Sequence, residues 1–414
     1  MCFGHREIVH LEHKIVKPIR KKDMNRRVML GIEHLAEGPW KKLRGLRVGL
    51  LCNQASVDSR LRSTKHIISS LFSSRLKALF TPQHGYGAEE QDNMRESPHG
   101  QDEDLGIPVF SLYAETREPS REMLDLIDVL IVDLQDVGCR VYTFASTMLN
   151  CMEAASRHGR KIVILDRPNP LGGEIVEGNL LKRDLFSFVG PYSVPMRHGL
   201  TMGEMALMFN DAFGLACDLE VIPMKGWTRN MSWTDTHLPW LMPSPNMPLP
   251  QTAYVYPGQV IWEGTNLSEG RGTCRPFEIF GAPFLVPRTV MDHIPLSAVK
   301  GCMSAEFRFT PTFNKWCGQR CNGFFIHVTS IHQYRPYRTS LLFLQAILQC
   351  YRDELEWKGP PYEYVFDRRP IDLIIGDTQV VKRLQEGIDV LSLEKTWEED
   401  LKAYLDFRKP YLLY

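Results

Sequence analysis

A chain of 414 residues is too long for one ordinary core, so two domains are the first expectation. With 49 Lys plus Arg against 49 Asp plus Glu, 43% hydrophobic and 24% charged residues, the composition is that of a globular protein and offers no excess of charge to a nucleic acid or another polyanion. Ten scattered cysteines, of which only Cys317 and Cys321 stand close together, fit free thiols in a reducing compartment better than disulfides or a structural zinc.

The first 29 residues hold a basic run, Lys14 to Arg27, with seven Lys or Arg. It reads as a solvated, poorly ordered extension. It has no apolar stretch of signal-peptide type, and no later run reaches the length of a membrane span, so a cytoplasmic protein without membrane contact is expected. From residue 30 the pattern changes. LRVGLLCN (46–53), LKALFTPQHG (76–85), VLIVDLQD (129–136) and KIVILDRPNP (161–170) are short, nearly all-apolar runs that end in polar or turn-forming residues. Helical patterns such as STKHIISSLFSS (63–74) and TMLNCMEAASRHG (147–159) lie between them. Buried strands alternating with amphipathic helices predict an α/β domain over 30–185, a parallel sheet covered on both faces.

Beyond 185 the alternation stops, and an α+β auxiliary domain is predicted over 186–414. GLTMGEMALMFNDAFG (199–214) and RTSLLFLQAILQCYRDEL (338–355) read as helices, and two more are expected around 378–386 and 394–407. DLEVIPMKGW (218–227) and GFFIHVTS (323–330) read as strands. The segment 238–258 holds six prolines and is expected to cross the domain junction in extended conformation.

Several chemistries are missing. The first strand–helix junction, LLCNQASVDSR, has no glycine, so the dinucleotide fingerprint is absent; neither G-x-x-x-x-G-K-[ST], G-x-S-x-G nor H-E-x-x-H occurs. No metal and no cofactor are expected. What remains is acidic. Ligands of such sheets bind beyond the carboxyl ends of the strands, and there the chain offers His84, Glu89, Glu90 and Glu96, then Asp133 and Asp136 with Arg140 and Tyr142, then Arg167 and Asn169. Arg197, His198 and Glu204 follow, and the glycine-loosened EGTNLSEGRGTCRP (263–276) adds Glu263, Asn266, Glu269 and Arg271. Any one loop carboxylate is usually just solvated, and His84 alone suits a turn. Their accumulation at strand ends and junctions is the signal. Carboxylates with Arg, Asn and Tyr around a cleft suit glycoside hydrolysis, in which an acid protonates the leaving oxygen while a second carboxylate, or the acetamide of an N-acetyl sugar, attends to C1.

In order along the chain, LRGLRVGLLCNQASVDSRLRST, LFTPQHGYGAEEQDNMRES, DVLIVDLQDVGCRVYTFASTM, ILDRPNPLGGEIVEG, VPMRHGLTMGEMA, LPWLMPSPNMP, YPGQVIWEGTNLSEGRGTCRPFEIFGAP and RKPYLLY resemble the exo-acting β-N-acetylmuramidase family of glycoside hydrolases, long catalogued as a domain of unknown function. The resemblance runs from about residue 30 to the end. It implies a Rossmann-like N-terminal domain, a smaller auxiliary domain, a cleft between them, and release of N-acetylmuramic acid from non-reducing ends of peptidoglycan fragments in cell-wall recycling. The expected partner is therefore a small muramic-acid-containing saccharide, with the oligomeric state open.

On that basis the acid is sought in the His84 loop, Glu90 or Glu96 before Glu89. Its partner is Glu269, then Glu263. Asp133 and Asp136 could fill either role or fix His84. Arg140, Arg167, Arg197 and Arg271 are candidates for the lactyl carboxylate or, equally, for structural salt bridges. Asn169, Asn246 and Asn266, with Tyr142 and His198, are further substrate candidates, although RPNP and SPNMP also suit rigid turns. The glycines of 263–272 are expected to let backbone approach sugar. One departure stands out: many members read PEHG where this chain reads PQHG, so Gln83 cannot act as an acid. A non-catalytic sugar sensor and a phosphosugar enzyme using RPNPLGG (167–173) are the rival readings.

Overall fold

The computed structural model describes residues 27–91 and 94–414. The basic run named above lies outside them apart from Arg27. The apolar runs of the first half become β1 (Val48–Cys52), β2 (Leu76–Thr81), β5 (Val129–Asp133) and β6 (Lys161–Leu165), with the short β3 (Gly100–Asp102) and β4 (Ile107–Ser111) between the second and third of them. A two-stranded ribbon, β7 (Glu177–Leu180) and β8 (Pro195–Arg197), precedes β9 (Leu219–Ile222), which returns to the sheet. The sheet order is β3-β4-β2-β1-β5-β6-β9. Every pairing in it is parallel except β3 with β4.

These strands are apolar at nearly every position because both faces are covered. Alternate residues feed two cores. Leu51, Phe80, Leu130, Val132, Ile162 and Ile164 join the helices Phe144–Arg157 and Met202–Ala212 on one side. Leu50, Leu79, Ile131, Val163 and Leu165 join Gly31–Glu37 and Thr64–Phe72 on the other. Since β9 lies at 219–222, the sheet ends later than the expected boundary at 185. The strand in DLEVIPMKGW is thus part of the first sheet: its register against β6 (Ile162 opposite Leu219) completes the covered edge.

The second half is mixed. Three antiparallel strands, β10 (Ile279–Ala282), β11 (Cys302–Phe309) and β12 (Cys321–Val328), pair in the order β10-β12-β11. Helix Pro250–Gln259 packs on helix Pro336–Cys350 closely enough that a Cβ at Gly258 would sit 2.0 Å from the Pro336 carbonyl. The proline-rich segment is therefore not extended throughout, because Pro250 occupies the first helical turn, where its missing N–H costs nothing. The chain's end folds back on the first sheet: the Tyr414 hydroxyl donates to Asp166 at 2.8 Å. Among the described residues no helix is long and apolar enough to cross a membrane.

Candidate active site

The sheet order reverses beside β1, whose neighbours β2 and β5 lead the chain to opposite edges. Such a switch point leaves a crevice at the strands' carboxyl ends. The turn after β2 and the loop after β5 meet there, and the second half closes the crevice into a small cavity of about 40 Å³. Gln83, His84, Tyr142 and Thr143 line it from the sheet side, and Asn246, Glu263, Arg271, Phe277, Tyr362 and Glu363 from the other.

The 3₁₀ turn Val260–Gly264, continuing helix Pro250–Gln259, presents Glu263. Its carboxylate accepts from Arg271 at 2.6 Å and from the Tyr362 hydroxyl at 2.6 Å. Arg271 also meets Glu269 at 3.2 Å and lies over the Phe277 ring, 5.2 Å from its centroid. Burial opposes charge on Arg271, yet the two glutamates push its proton affinity above the ordinary arginine value. Glu269 faces Lys315 at 2.8 Å. Burial works against its charge, but Lys315 and Arg271 hold it below the ordinary glutamate range. It is an anchor for Arg271 behind the cavity wall. Close packing requires the glycines of this loop: a Cβ at Gly270 would meet the Ile279 carbonyl at 2.7 Å, and one at Gly272 would meet Phe313 N at 2.7 Å.

Across the cavity, Gln83 is fixed from three sides. Its carbonyl accepts from Thr143 at 2.7 Å, and its amide nitrogen donates to Tyr113 and to Glu363, each at 3.1 Å. Tyr113 donates to the other oxygen of Glu363 at 2.5 Å. Burial, with a further contribution from the charge of Glu263, raises the proton affinity of Glu363 above the ordinary glutamate value, against the two hydrogen bonds that lower it. The cavity therefore pairs Glu263, bound to an arginine, with Glu363, whose proton affinity is raised.

His84 sits in the left-handed region at φ 75°, in a turn closed by Gly85 N to Pro82 O at 3.2 Å. Its Nδ1 binds the Glu90 carbonyl at 2.5 Å, which makes Nδ1 the donor and leaves Nε2 as an acceptor. Burial pushes its pKa down to about 4. We expect the ring to stay neutral above about pH 5, with no inflection near the ordinary value of about 6.5. Imidazole chemical shifts followed from pH 4 to 8 check this, and a midpoint above 6 would contradict it.

The other expected residues are placed elsewhere. Glu90 supplies its backbone to His84, while its side chain pairs with Arg95 on the surface at 3.3 Å. Glu96 and Glu89 are exposed. Neither Glu90 nor Glu96 lines the cavity; what the loop gives to the cavity residues is the Gln91 carbonyl, which accepts from Asn246 at 3.0 Å and from Arg271 at 3.2 Å. Asp133 is fully buried by Arg167 (2.5 and 2.8 Å) and Thr64 (2.6 Å), so it is not what fixes His84. Asp136 accepts from Gly138 N at 2.6 Å and lies 3.3 Å from His198. Arg140 gives its guanidinium to the carbonyls of Asn179, Val194, Ile374 and Ile375. Arg197 donates to the Leu171 carbonyl. Asn169 closes its own turn through Leu171 N at 3.0 Å. Asn266 turns to the Glu354 carbonyl at 2.8 Å, on the far side of its loop. Of the four candidate arginines, only Arg271 reaches the cavity.

Glu363, Tyr113 and Tyr362 were not singled out by the sequence. The available signal was PPYEYVF (360–366), an acid between two tyrosines in a turn after two prolines, far from any strand end.

Two family profiles match the chain in succession. The one described as exo-beta-N-acetylmuramidase NamZ, N-terminal, matches residues 48–251, and the one described as exo-beta-N-acetylmuramidase NamZ, C-terminal, matches 254–414. The peptidoglycan beta-N-acetylmuramidase NamZ of Bacillus subtilis (strain 168) is 38% identical over 388 residues, 94% of this chain and 92% of that protein. Two crystal structures of DUF1343 family proteins from Bacteroides fragilis NCTC 9343 share the architecture. BF0371 superposes with a TM-score of 0.83 at 33% identity, and BF0379 with 0.70 at 28%; each comparison covers 94% of this chain and 99% of the other.

Proposed function

The chain belongs to the exo-β-N-acetylmuramidase NamZ family of glycoside hydrolases, and from that premise we propose that it releases N-acetylmuramic acid from the non-reducing ends of peptidoglycan fragments by carboxylate chemistry. The observation that carries this reading is the cavity at the switch point, where Glu263 and Arg271 face Glu363 and His84. Its largely buried lining suits a chain end better than the middle of a polymer.

The roles follow from the donors on hand. Glu263, ion-paired with Arg271, stabilises positive charge at C1 or orients the substrate's acetamide, and His84 Nε2 accepts from a hydroxyl or N–H. Arg271, which holds Glu263, Glu269 and the Gln91 carbonyl, is the positively charged side chain that the cavity lining offers to a lactyl carboxylate. Arg117, sandwiched between the rings of Tyr113 and Tyr364 at 4.1 and 4.0 Å, adds a second positive charge beside the Glu363 cluster. The nine described cysteines are all free thiols, most of them buried, which accords with a reducing, cytoplasmic setting. There the substrate would be an imported disaccharide or muropeptide in wall recycling.

The test is release of free N-acetylmuramic acid from N-acetylmuramyl–N-acetylglucosamine, beside a chromogenic N-acetylglucosaminide that lacks the lactyl group. Release from the first alone is expected. Release from neither by folded protein would favour a sugar-binding role, and equal release from both would remove the lactyl group from recognition.

A further inference from the structure

We propose that Glu363 is the group that protonates the leaving glycosidic oxygen, held for this purpose by Tyr113 and Gln83; the assignment rests on the muramidase reading above. Three observations carry it.

The first is position. Glu363 lines the same cavity as Glu263, and its neighbour Tyr362 binds Glu263 directly at 2.6 Å. One dipeptide therefore sets both acids relative to each other.

The second is the backbone. Tyr362 and Val365 exchange two hydrogen bonds of 3.0 Å, closing a turn in which Glu363 and Tyr364 both lie in the left-handed region, at φ 44° and 66°. Two-residue turns with both central residues at positive φ favour Asn-Gly, because a Cβ is disfavoured there. Glu-Tyr in these places is a strained choice for a turn alone. Strain of this kind is retained where the surrounding structure enforces it, commonly at a functional site. Here Tyr113, Gln83 and the stacked Arg117 enforce it.

The third is charge. Glu263 is neutralised by Arg271, whereas among the described residues no ion pair to Glu363 is present. Its oxygens accept only from the neutral donors Tyr113 and Gln83. Burial and the nearby Glu263 carboxylate raise its proton affinity above the ordinary glutamate value, against the hydrogen bonds of Tyr113 and Gln83 and the charge of Arg117.

The step balances without any oxidant or metal. The C1–O bond breaks, its electron pair stays on the leaving oxygen, and that oxygen takes the Glu363 proton and departs as an alcohol. Water then bonds to C1, and its proton returns to the Glu363 carboxylate, as microscopic reversibility allows.

The experiment compares wild type and Glu363→Gln, full length, on the N-acetylmuramyl–N-acetylglucosamine disaccharide and on a 4-nitrophenyl N-acetylmuraminide. The nitrophenolate leaves without a proton. The variant should lose on the order of 100-fold or more in kcat/KM on the disaccharide, but less than about 10-fold in kcat/KM on the aryl glycoside. Its activity should also lack the fall at high pH that deprotonation of Glu363 imposes on wild type. Equal losses on both substrates, or no loss, overturn the assignment. Should Glu363→Gln fail to fold, Glu363→Asp shortens the acid's reach and is judged by the same ratio. If wild type itself releases N-acetylmuramic acid from neither substrate, the muramidase reading falls, and this assignment with it.

Discussion

Glu263→Gln is expected to lower kcat for N-acetylmuramic acid release by on the order of 10³-fold while leaving the fold and saccharide binding measurable. The substitution keeps the shape of the side chain and an oxygen for the Tyr362 hydroxyl, but removes the charge that faces Arg271 at 2.6 Å. Arg271 retains Glu269, so its position should survive. What is lost is a fixed negative charge in a closed cavity, where water screens little, and where positive charge develops at C1 in the transition state. Turnover and calorimetric binding of the disaccharide, measured together, separate the outcomes. Loss of kcat with binding retained places Glu263 in the chemistry. A variant with wild-type kcat would remove it and shift attention to the opposite wall.

The second large effect concerns stability. Arg167→Ala is expected to destabilise the protein by about 3–5 kcal/mol, the range seen when one partner of a buried ion pair is removed. Asp133 at the end of β5 is wholly buried, and Arg167 gives it two hydrogen bonds while also reaching the Val57 carbonyl at 2.8 Å. Without the guanidinium, a carboxylate remains in the core with only Thr64 at 2.6 Å to satisfy it. Urea unfolding gives the stability change, and kinetics at a temperature where the variant is folded give KM. A shifted midpoint with unchanged KM is the expected pair. Unchanged stability with KM raised 10-fold or more would return Arg167 to the list of substrate-binding arginines.

Both expectations show where the sequence was legible. The loop EGTNLSEGR was recognisable because polar, glycine-rich composition cannot build a core, and two of its residues, Glu263 and Arg271, do reach the cavity. The ranking within it came out differently. Glu269 precedes Glu263 if only residue type and loop position are weighed, whereas Lys315, 46 residues further on, turns Glu269 into an anchor. In the His84 loop the side chains that line the cavity are Gln83 and His84, and not the glutamates. The chain turns tightly at Gly85, and the side chains of Glu89, Glu90 and Glu96 do not line the cavity, while the Gln91 backbone stays against Asn246 and Arg271.

The sequence by itself determined the parallel sheet, the covering helices and the family, since apolar runs, their periods and ordered motifs are properties of neighbouring residues. Only the tertiary structure sorted the charges. Arg140, Arg167, Arg197 and Arg271 are alike in one dimension, and three of them are consumed by carbonyls and carboxylates of the fold. Glu363 meets Gln83 and Tyr113 across 280 and 250 residues. A charged side chain in a loop carries no periodicity, and its chemistry is set by whichever groups the fold brings against it.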